Sequence, residues 1–101
     1  MDDAGVQYIM GKRIKQDDLT VVEGIGPKIQ SLLHENGIDS WYKLSHTDVN
    51  RLHEILNAAG DRYRIHDPGT WPKQSGLAHE AKWDQLKEYQ DYLDGGKEPS
   101  T

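Results

Sequence analysis

The chain has 101 residues, of which 35% are hydrophobic and none is Phe, so one small core must be assembled from scattered Leu, Ile, Val, Trp and Tyr. Cys is absent, which excludes disulfides, thiolate metal sites and Cys nucleophiles. No stretch approaches the ~18 apolar residues of a membrane span, and Asp2 and Asp3 stand where a secretory signal would begin. We therefore expect a cytoplasmic protein without membrane contact.

Residues 1–16 show no sustained helical period and are predicted to form a linker or N-terminal arm. A brief alternation near residues 6–9 is the one place compatible with a strand. The segment ends in a basic cluster formed by Lys12, Arg13 and Lys15. Its abrupt start leads us to expect that the chain is one part of a longer protein.

Residues 17–60 are predicted to form the main helical domain. Asp17 or Asp18 can cap a short first helix, because a carboxylate oxygen can accept the free amides of a first turn. Leu19 and Val22 would form the buried side of this helix.

The next helix is predicted to begin at Pro27, whose fixed φ and missing N–H suit the first helical position. Gly37 supplies the left-handed residue that ends it. Ser40 and Thr47 are predicted to start two further helices, the second of which ends at Gly60. The apolar positions that give these helices a buried face are Ile29, Leu32, Leu33, Trp41, Leu44, Val49, Leu52, Ile55, Leu56 and Ala59.

Residues 61–94 are predicted to form a loop and C-terminal helices packed on the same core. The turn-rich stretch GDRYRIHDPGT predicts a connection without helical period, and Thr70 then starts a helix that runs toward Ala78. Residues 95–101 are predicted to be a disordered tail. A last helix buries the side formed by Trp83, Leu86, Tyr89 and Leu93. The predicted fold is all-α, a small multi-helix domain with a C-terminal helical extension.

The stretch VEGIGPKI, residues 22–29, is predicted to turn the chain between two helices. Because Gly24 and Gly26 lack a Cβ, an anion can approach the backbone amides at the positive end of the second helix. Ile25 can anchor the turn in the core. Lys28 opposes the helix dipole, a position that a bound phosphate would favour. Since amides hold phosphates without reading bases, this stretch predicts sequence-independent binding.

The run LTVVEGIGPKI, residues 19–29, resembles the helix-hairpin-helix motif of DNA-repair polymerases, ligases, glycosylases and structure-specific nucleases. The similarity continues in weaker form to about residue 60. The stretch DPGTWPKQ and the last helix resemble the end of small bacterial domains described as flap-endonuclease-like. The resemblance implies a helix-hairpin-helix domain that binds DNA.

The same resemblance implies particular contacts. The residues that would bind DNA phosphates are Gly24, Ile25, Gly26, Lys28 and Ile29. A monovalent cation, K⁺ or Na⁺, would lie on the backbone carbonyls of Thr20, Val22 and Ile25. Independently of the resemblance, peripheral DNA contacts are candidates at the basic residues Lys12, Arg13, Lys15, Arg62 and Arg64, for which ordinary solvated surface is the favoured alternative.

Other chemistry is not expected. The three Trp are in register with apolar neighbours and are predicted to be core residues rather than base-stacking platforms. No clustered carboxylates, catalytic triad or nucleotide-binding loop is present, so we expect a binding module and not an enzyme. No two histidines are four residues apart, as a side-chain metal site on one helix would require, so we expect none. The histidines are His34, His46, His53, His66 and His79.

Two functions from different classes remain open. The first is a module that binds DNA weakly and without sequence preference, as part of a larger protein or complex. The alternative is a protein–protein interaction module that keeps the fold without DNA affinity, which the net charge of −5 and Glu23 favour because nucleic-acid binders usually carry a basic surface. A structure-specific nuclease ranks behind both.

Overall fold

The structure, a computed structural model, describes the backbone of residues 6–9 and 12–95 and the side chains of residues 13–93. Within this part the fold is all-α, as predicted, with a short β-hairpin added. The strands are β1 (Val6–Ile9) and β2 (Lys12–Lys15). Two 3-10 turns cover Leu19–Val21 and Pro68–Thr70. The helices are α1 (Pro27–Glu35), α2 (Trp41–Ser45), α3 (Val49–Ala59), α4 (Asp61–Arg64), α5 (Trp71–His79) and α6 (Trp83–Gly95).

The segment predicted to be a linker or arm contains the β-hairpin. β1 and β2 pair antiparallel, with Val6 opposite Lys15. Ile14 is only 4% exposed and belongs to the core. The strands have four residues each, too few for the alternation of β2 to stand out in the sequence. Residues 12–15 are therefore part of the domain rather than a separate arm.

The predicted caps are mostly found, with one shift. Asp18 caps the first 3-10 turn by accepting a hydrogen bond from the Thr20 amide, at 3.0 Å. Helix α3 is capped by Asp48 and not by Thr47, so that prediction was wrong by one residue. The Thr47 hydroxyl instead donates to the Lys43 carbonyl at 2.7 Å, because it lies one turn beyond that residue at the end of α2.

Helix α1 begins at Pro27 and ends at the predicted left-handed glycine. Gly37 has φ +83°, and the Ile38 amide donates to the Leu33 carbonyl at 2.9 Å. This closing pattern buries Ile38 against the core and directs the chain into α2. Ser40 starts α2, as predicted, by accepting the Lys43 amide at 3.0 Å.

The connection predicted over residues 60–70 is more ordered than the sequence indicates. Gly60, at φ +124°, ends α3 and leads directly into α4, which has four residues. Asp67 then caps the second 3-10 turn. Elements of three or four residues are shorter than a helical period can reveal, which is why the prediction missed them.

The core lies between the helices and is built around two tryptophans. Trp41 is 2% exposed and Trp71 1% exposed, which confirms their predicted core role. Trp83 is partly buried and meets the Trp41 ring edge-on, with ring centroids 5.3 Å apart. Gly95 is the last residue of α6, so helix extends one residue into the predicted tail; residues 96–101 of that tail lie outside the described residues. None of the described helices has the length and apolar character needed to cross a bilayer.

Candidate functional site

The turn between the first 3-10 turn and α1, residues 22–27, is called the glycine turn below. A buried glutamine holds it from α5. The Gln74 side chain is fully buried, its Oε1 accepts the Glu23 amide at 2.7 Å, and its Nε2 donates to the Glu23 carbonyl at 3.3 Å. The same Nε2 donates to the Thr70 hydroxyl at 3.0 Å. Both backbone polar groups of Glu23, which belong to two successive peptide units, are thus fixed by one side chain.

Two further glutamines hold the backbone that precedes the turn. Oε1 of Gln30, in α1, accepts the Leu19 amide at 2.8 Å. Nε2 of Gln90, in α6, donates to the Val21 carbonyl at 2.7 Å and to Oε1 of Gln74 at 2.9 Å. The backbone from residue 19 to residue 23 is therefore held by α1, α5 and α6 together.

These glutamines were not among the predicted site residues. The signal that could have found one is positional, since Gln74 lies three residues after Trp71 and four before Ala78, and thus on the buried face of α5. A glutamine in such a position must find hydrogen-bond partners inside the protein. The sequence does not say which backbone groups those partners are.

The first glycine of the turn is exposed to solvent, but the protein obstructs the position that a side chain would take there. Gly24 has φ +105°, and a Cβ there would lie 2.9 Å from Nε1 of Trp71. Ile25 is only 5% exposed, which confirms its predicted place in the core, and its amide donates to the Val22 carbonyl at 3.0 Å. Ile25 thus supplies burial, while its amide is already used within the turn.

The second glycine borders open space. Gly26 is the N-cap of α1, has φ −100° and has no atom within 4 Å of the position a Cβ would take. It offers no side chain to cap the helix, and Pro27 carries no N–H. Among the described residues, no acceptor receives the amides of Gly24, Gly26, Lys28 or Ile29. Four unused donors therefore lie within six residues, at the positive end of α1.

A groove lies on one side of the turn, between α1 and α4. It has a volume of about 600 Å³, and we call it the α4 groove. Its basic lining residues are Lys28 and Arg62, and no Asp or Glu contributes to it. The complete lining is Gly24, Gly26, Pro27, Lys28, Ile29, Arg62, Tyr63 and His66.

A pocket of different charge lies on the other side of the turn. This β2 pocket has a volume of about 460 Å³ and carries the carboxylates of Asp18 and Glu23 together with Arg13. Its remaining lining is Ile14, Thr20, Val21, Val22, Gly24, Ile25, Gly26 and Gln90. The turn therefore separates a basic groove from a pocket in which acidic side chains outnumber basic ones.

The basic side chains of the α4 groove differ from most others in the protein. Neither Lys28 nor Arg62 has an ion-pair partner within the described part of the chain. Carboxylates pair instead with Lys43, Arg51, Arg64, Lys82 and Lys87. The positive charge of the groove is thus available to a ligand.

The predicted peripheral residues are divided by the structure. Arg13 lines the β2 pocket and Arg62 the α4 groove, so both lie at the turn. Arg64 lines neither and pairs with Asp61 at 2.9 Å. Lys15 is exposed but lines neither cavity, and the Lys12 side chain lies outside the described residues.

The residues proposed to bind a monovalent cation lie together. Thr20, Val22 and Ile25 all line the β2 pocket, beside the carboxylate of Asp18. Among the side chains that the structure describes, no cluster of His, Asp and Glu could hold a metal ion. A cation in this pocket would therefore depend on backbone carbonyls.

No family model, curated protein or solved structure matches this chain. The helix-hairpin-helix resemblance accordingly stays a prediction, carried by residues 19–29. What the structure adds is the geometry of that stretch: backbone at residues 19–23 held from three helices, unused amides in the turn, and a basic groove beside them.

Proposed function

We propose that the protein is a sequence-independent DNA-binding module of the helix-hairpin-helix class, which holds the phosphate backbone at the glycine turn. The observation that carries this proposal is the set of unused amides at Gly24, Gly26, Lys28 and Ile29. They lie directly after backbone that the buried Gln74 and the partly buried Gln90 hold in place. Donors held in place before binding lose little conformational entropy when a phosphate arrives. They favour an anion without distinguishing bases.

The acidic net charge sets the strength and direction of binding. With a net charge of −5, long-range attraction to DNA is absent, and we expect dissociation constants of about 10⁻⁴ to 10⁻⁶ M at physiological salt. The phosphate would approach from the α4 groove, where Lys28 and Arg62 lie, because Asp18 and Glu23 repel it on the opposite side. We expect the module to act in the cytoplasm, as part of a larger protein or complex.

A monovalent cation forms part of the proposal. K⁺ or Na⁺ on the carbonyls of Thr20, Val22 and Ile25 would offset Asp18 and Glu23 in the β2 pocket. Replacing K⁺ by tetramethylammonium at equal ionic strength should then weaken DNA binding, because that ion is too large for close carbonyl contact. Equal affinity in both salts would remove the cation from the proposal and leave the amides as the whole site.

The protein–protein interaction module is the second candidate, and one observation favours it. Ile65, just after α4, is 82% exposed. An exposed isoleucine next to a groove offers apolar surface that a partner protein could bury. In that case the acidic charge of the chain would need no explanation.

The deciding experiment is an amide NMR titration with a short DNA duplex at low and moderate salt. We expect the amides of Gly24, Gly26, Lys28 and Ile29 to shift together, and the shifts to shrink as salt rises. Gly26→Glu and Lys28→Glu should abolish them with the fold intact. Lys43→Glu is the matched control, because it makes the same charge change on an exposed lysine of α2 that lines neither cavity.

Two results would contradict the proposal. One is a folded protein whose turn amides stay unchanged even at low salt. The other is equal loss of binding in Lys28→Glu and Lys43→Glu, which would show that only net charge matters. Either result would move the search to a protein partner and to the surface around Ile65.

A further inference from the structure

We infer that the α4 groove accepts the unpaired base of a nucleotide whose phosphate is held at the glycine turn, so that the module prefers single-stranded DNA or DNA ends with unpaired nucleotides to closed duplex. This inference rests on the proposed function and concerns the same site. It adds the form of DNA, which phosphate contacts to a backbone cannot specify.

The first support is that the residues whose amides would bind phosphate also line the α4 groove. Gly24, Gly26, Lys28 and Ile29 carry the unused amides and line the α4 groove as well. A phosphate bound to these amides would leave its sugar and base beside the groove opening. The volume of about 600 Å³ lies within the range of about 300–1,000 Å³ found for small-ligand sites.

The second support is the character of the lining. Most of its exposed surface is apolar, and Tyr63 and His66 supply two aromatic rings. Tyr63 is half-buried and packs against the core, so its position is held by the fold. Aromatic rings accept any base by stacking, which agrees with binding that ignores sequence.

The third support is the combination of this apolar surface with charge. Lys28 and Arg62 have no ion-pair partner in the described part of the chain, and no carboxylate lines the groove. A purely apolar ligand would leave these cations without a partner, and a free phosphate would leave the apolar surface uncovered. A nucleotide satisfies both, because its phosphate is anionic and its base presents a flat apolar face.

The base in the groove must be unpaired. In a closed duplex each base is stacked on its neighbours and its edge is hydrogen-bonded, so a protein contacting the backbone cannot reach the base face. Opening a base pair costs a few kcal/mol, and single strands avoid this cost. The β2 pocket offers no equal site, since Asp18 and Glu23 line it and neither Tyr nor His does.

The test compares three probes of equal length by fluorescence anisotropy: an oligothymidine strand, the same strand with abasic tetrahydrofuran units in place of the nucleosides, and a duplex. The first two carry the same backbone charge, so their difference isolates the base. We expect the oligothymidine to bind about tenfold more tightly than the abasic strand. In NMR, the ring protons of Tyr63 and His66 should shift with oligothymidine and not with the abasic strand.

A pair of variants assigns this difference to the groove. Tyr63→Leu should bring the affinity for oligothymidine down to that for the abasic strand. Tyr92→Leu is the matched control, because Tyr92 is 68% exposed and lines neither the groove nor the β2 pocket. If Tyr63→Leu fails to fold, the ring protons of Tyr63 and His66 in the unchanged protein decide the question. A base-dependent affinity without shifts of these protons would overturn the inference.

The outcomes separate this inference from the proposed function. Equal affinity for oligothymidine and the abasic strand would overturn base binding in the α4 groove. If Gly26→Glu then abolishes the binding of both strands, the proposed phosphate site is retained. A difference that survives Tyr63→Leu in a folded protein would likewise overturn it, since the base would then bind elsewhere. No binding of any probe would overturn the proposed function and the inference with it.

Discussion

Gly24 and Gly26 lie two residues apart in one turn, yet only at the first does the protein obstruct the position that a Cβ would take. A Cβ at Gly24 would lie too close to Nε1 of Trp71, at 2.9 Å, and the backbone has a positive φ there. At Gly26 neither constraint applies. A glycine can therefore be required by the fold or by a ligand, and only the surroundings distinguish the two cases. The comparison predicts that Gly24 governs stability, while Gly26 governs binding.

The largest effect is expected for Gly24→Ala. A left-handed alanine is strained, and the new methyl group would press on the buried Trp71 ring, so we expect a loss of about 2–4 kcal/mol in the free energy of unfolding. Gly37→Ala is the matched control, because Gly37 also has a positive φ but open space at its Cβ position, and should cost about 1 kcal/mol. Urea denaturation measures both. Equal losses would show that the Trp71 contact contributes nothing.

The next effect concerns Gln74, whose side chain holds the backbone of Glu23 next to Gly24. Gln74→Leu keeps the volume of the side chain but removes the partners of the Glu23 amide and carbonyl. Leaving such groups unsatisfied should lower the free energy of unfolding by about 2–3 kcal/mol. Gln85→Leu, on the exposed side of α6, is the control and should change stability little. A neutral result for Gln74→Leu would mean that the turn keeps its shape without the glutamine.

A smaller stability effect, of opposite sign, is expected for Gly26→Ser. Serine is a good N-cap, and its hydroxyl can accept an amide of the first turn of α1, so stability should rise by about 0.5 kcal/mol. The same hydroxyl occupies the donors proposed for phosphate, so DNA affinity should fall. A denaturation curve and a DNA titration on one sample test both. Unchanged or increased affinity would place the phosphate away from these amides.

The smallest effect is expected at a paired lysine away from the turn. The Lys43 ammonium, 3.1 Å from the Asp39 carboxylate, lowers the pKa of Asp39 through a hydrogen bond and charge attraction. Because the folded pKa is below the unfolded one, the pair favours the fold above the unfolded pKa, and this contribution is lost as pH falls through the folded pKa. NMR titration of Lys43→Gln should show the pKa of Asp39 rising toward its ordinary value. An unchanged pKa would mean that the pair does not form in solution.

The sequence predicted the residues of this site that act on neighbouring backbone better than those that act on distant parts of the chain. Pro27, Gly37 and Ser40 act on backbone within a few residues of themselves, and each was predicted in its role from the sequence. Asp48 was missed in favour of Thr47 because two adjacent residues could both cap α3, and the end of α2 decided between them. Local chemistry thus predicted α1, α2 and α3, with an ambiguity of one residue at the start of α3.

Distant interactions were not predictable from the same patterns. Gln74 finds its partner 51 residues away, and no periodicity in α5 indicates the Glu23 backbone. The α4 groove likewise requires that Arg62 and Tyr63 come to lie beside Lys28, which follows from how α3 and α4 pack. The sequence contained the donors of the candidate site; their support and the groove beside them come from the tertiary structure.

The Gln90 contact to Val21 has a consequence for folding. It joins positions 69 residues apart, so the turn takes its final shape only after a long loop of chain has closed. Contacts of such high sequence separation form late and slow folding. Hydrogen exchange at the Glu23 amide should therefore follow unfolding of the whole domain, although the Glu23 side chain is exposed. A fragment of residues 17–60 would contain the motif and Gln30 but would lack Gln74 and Gln90, which hold the backbone of Glu23 and Val21.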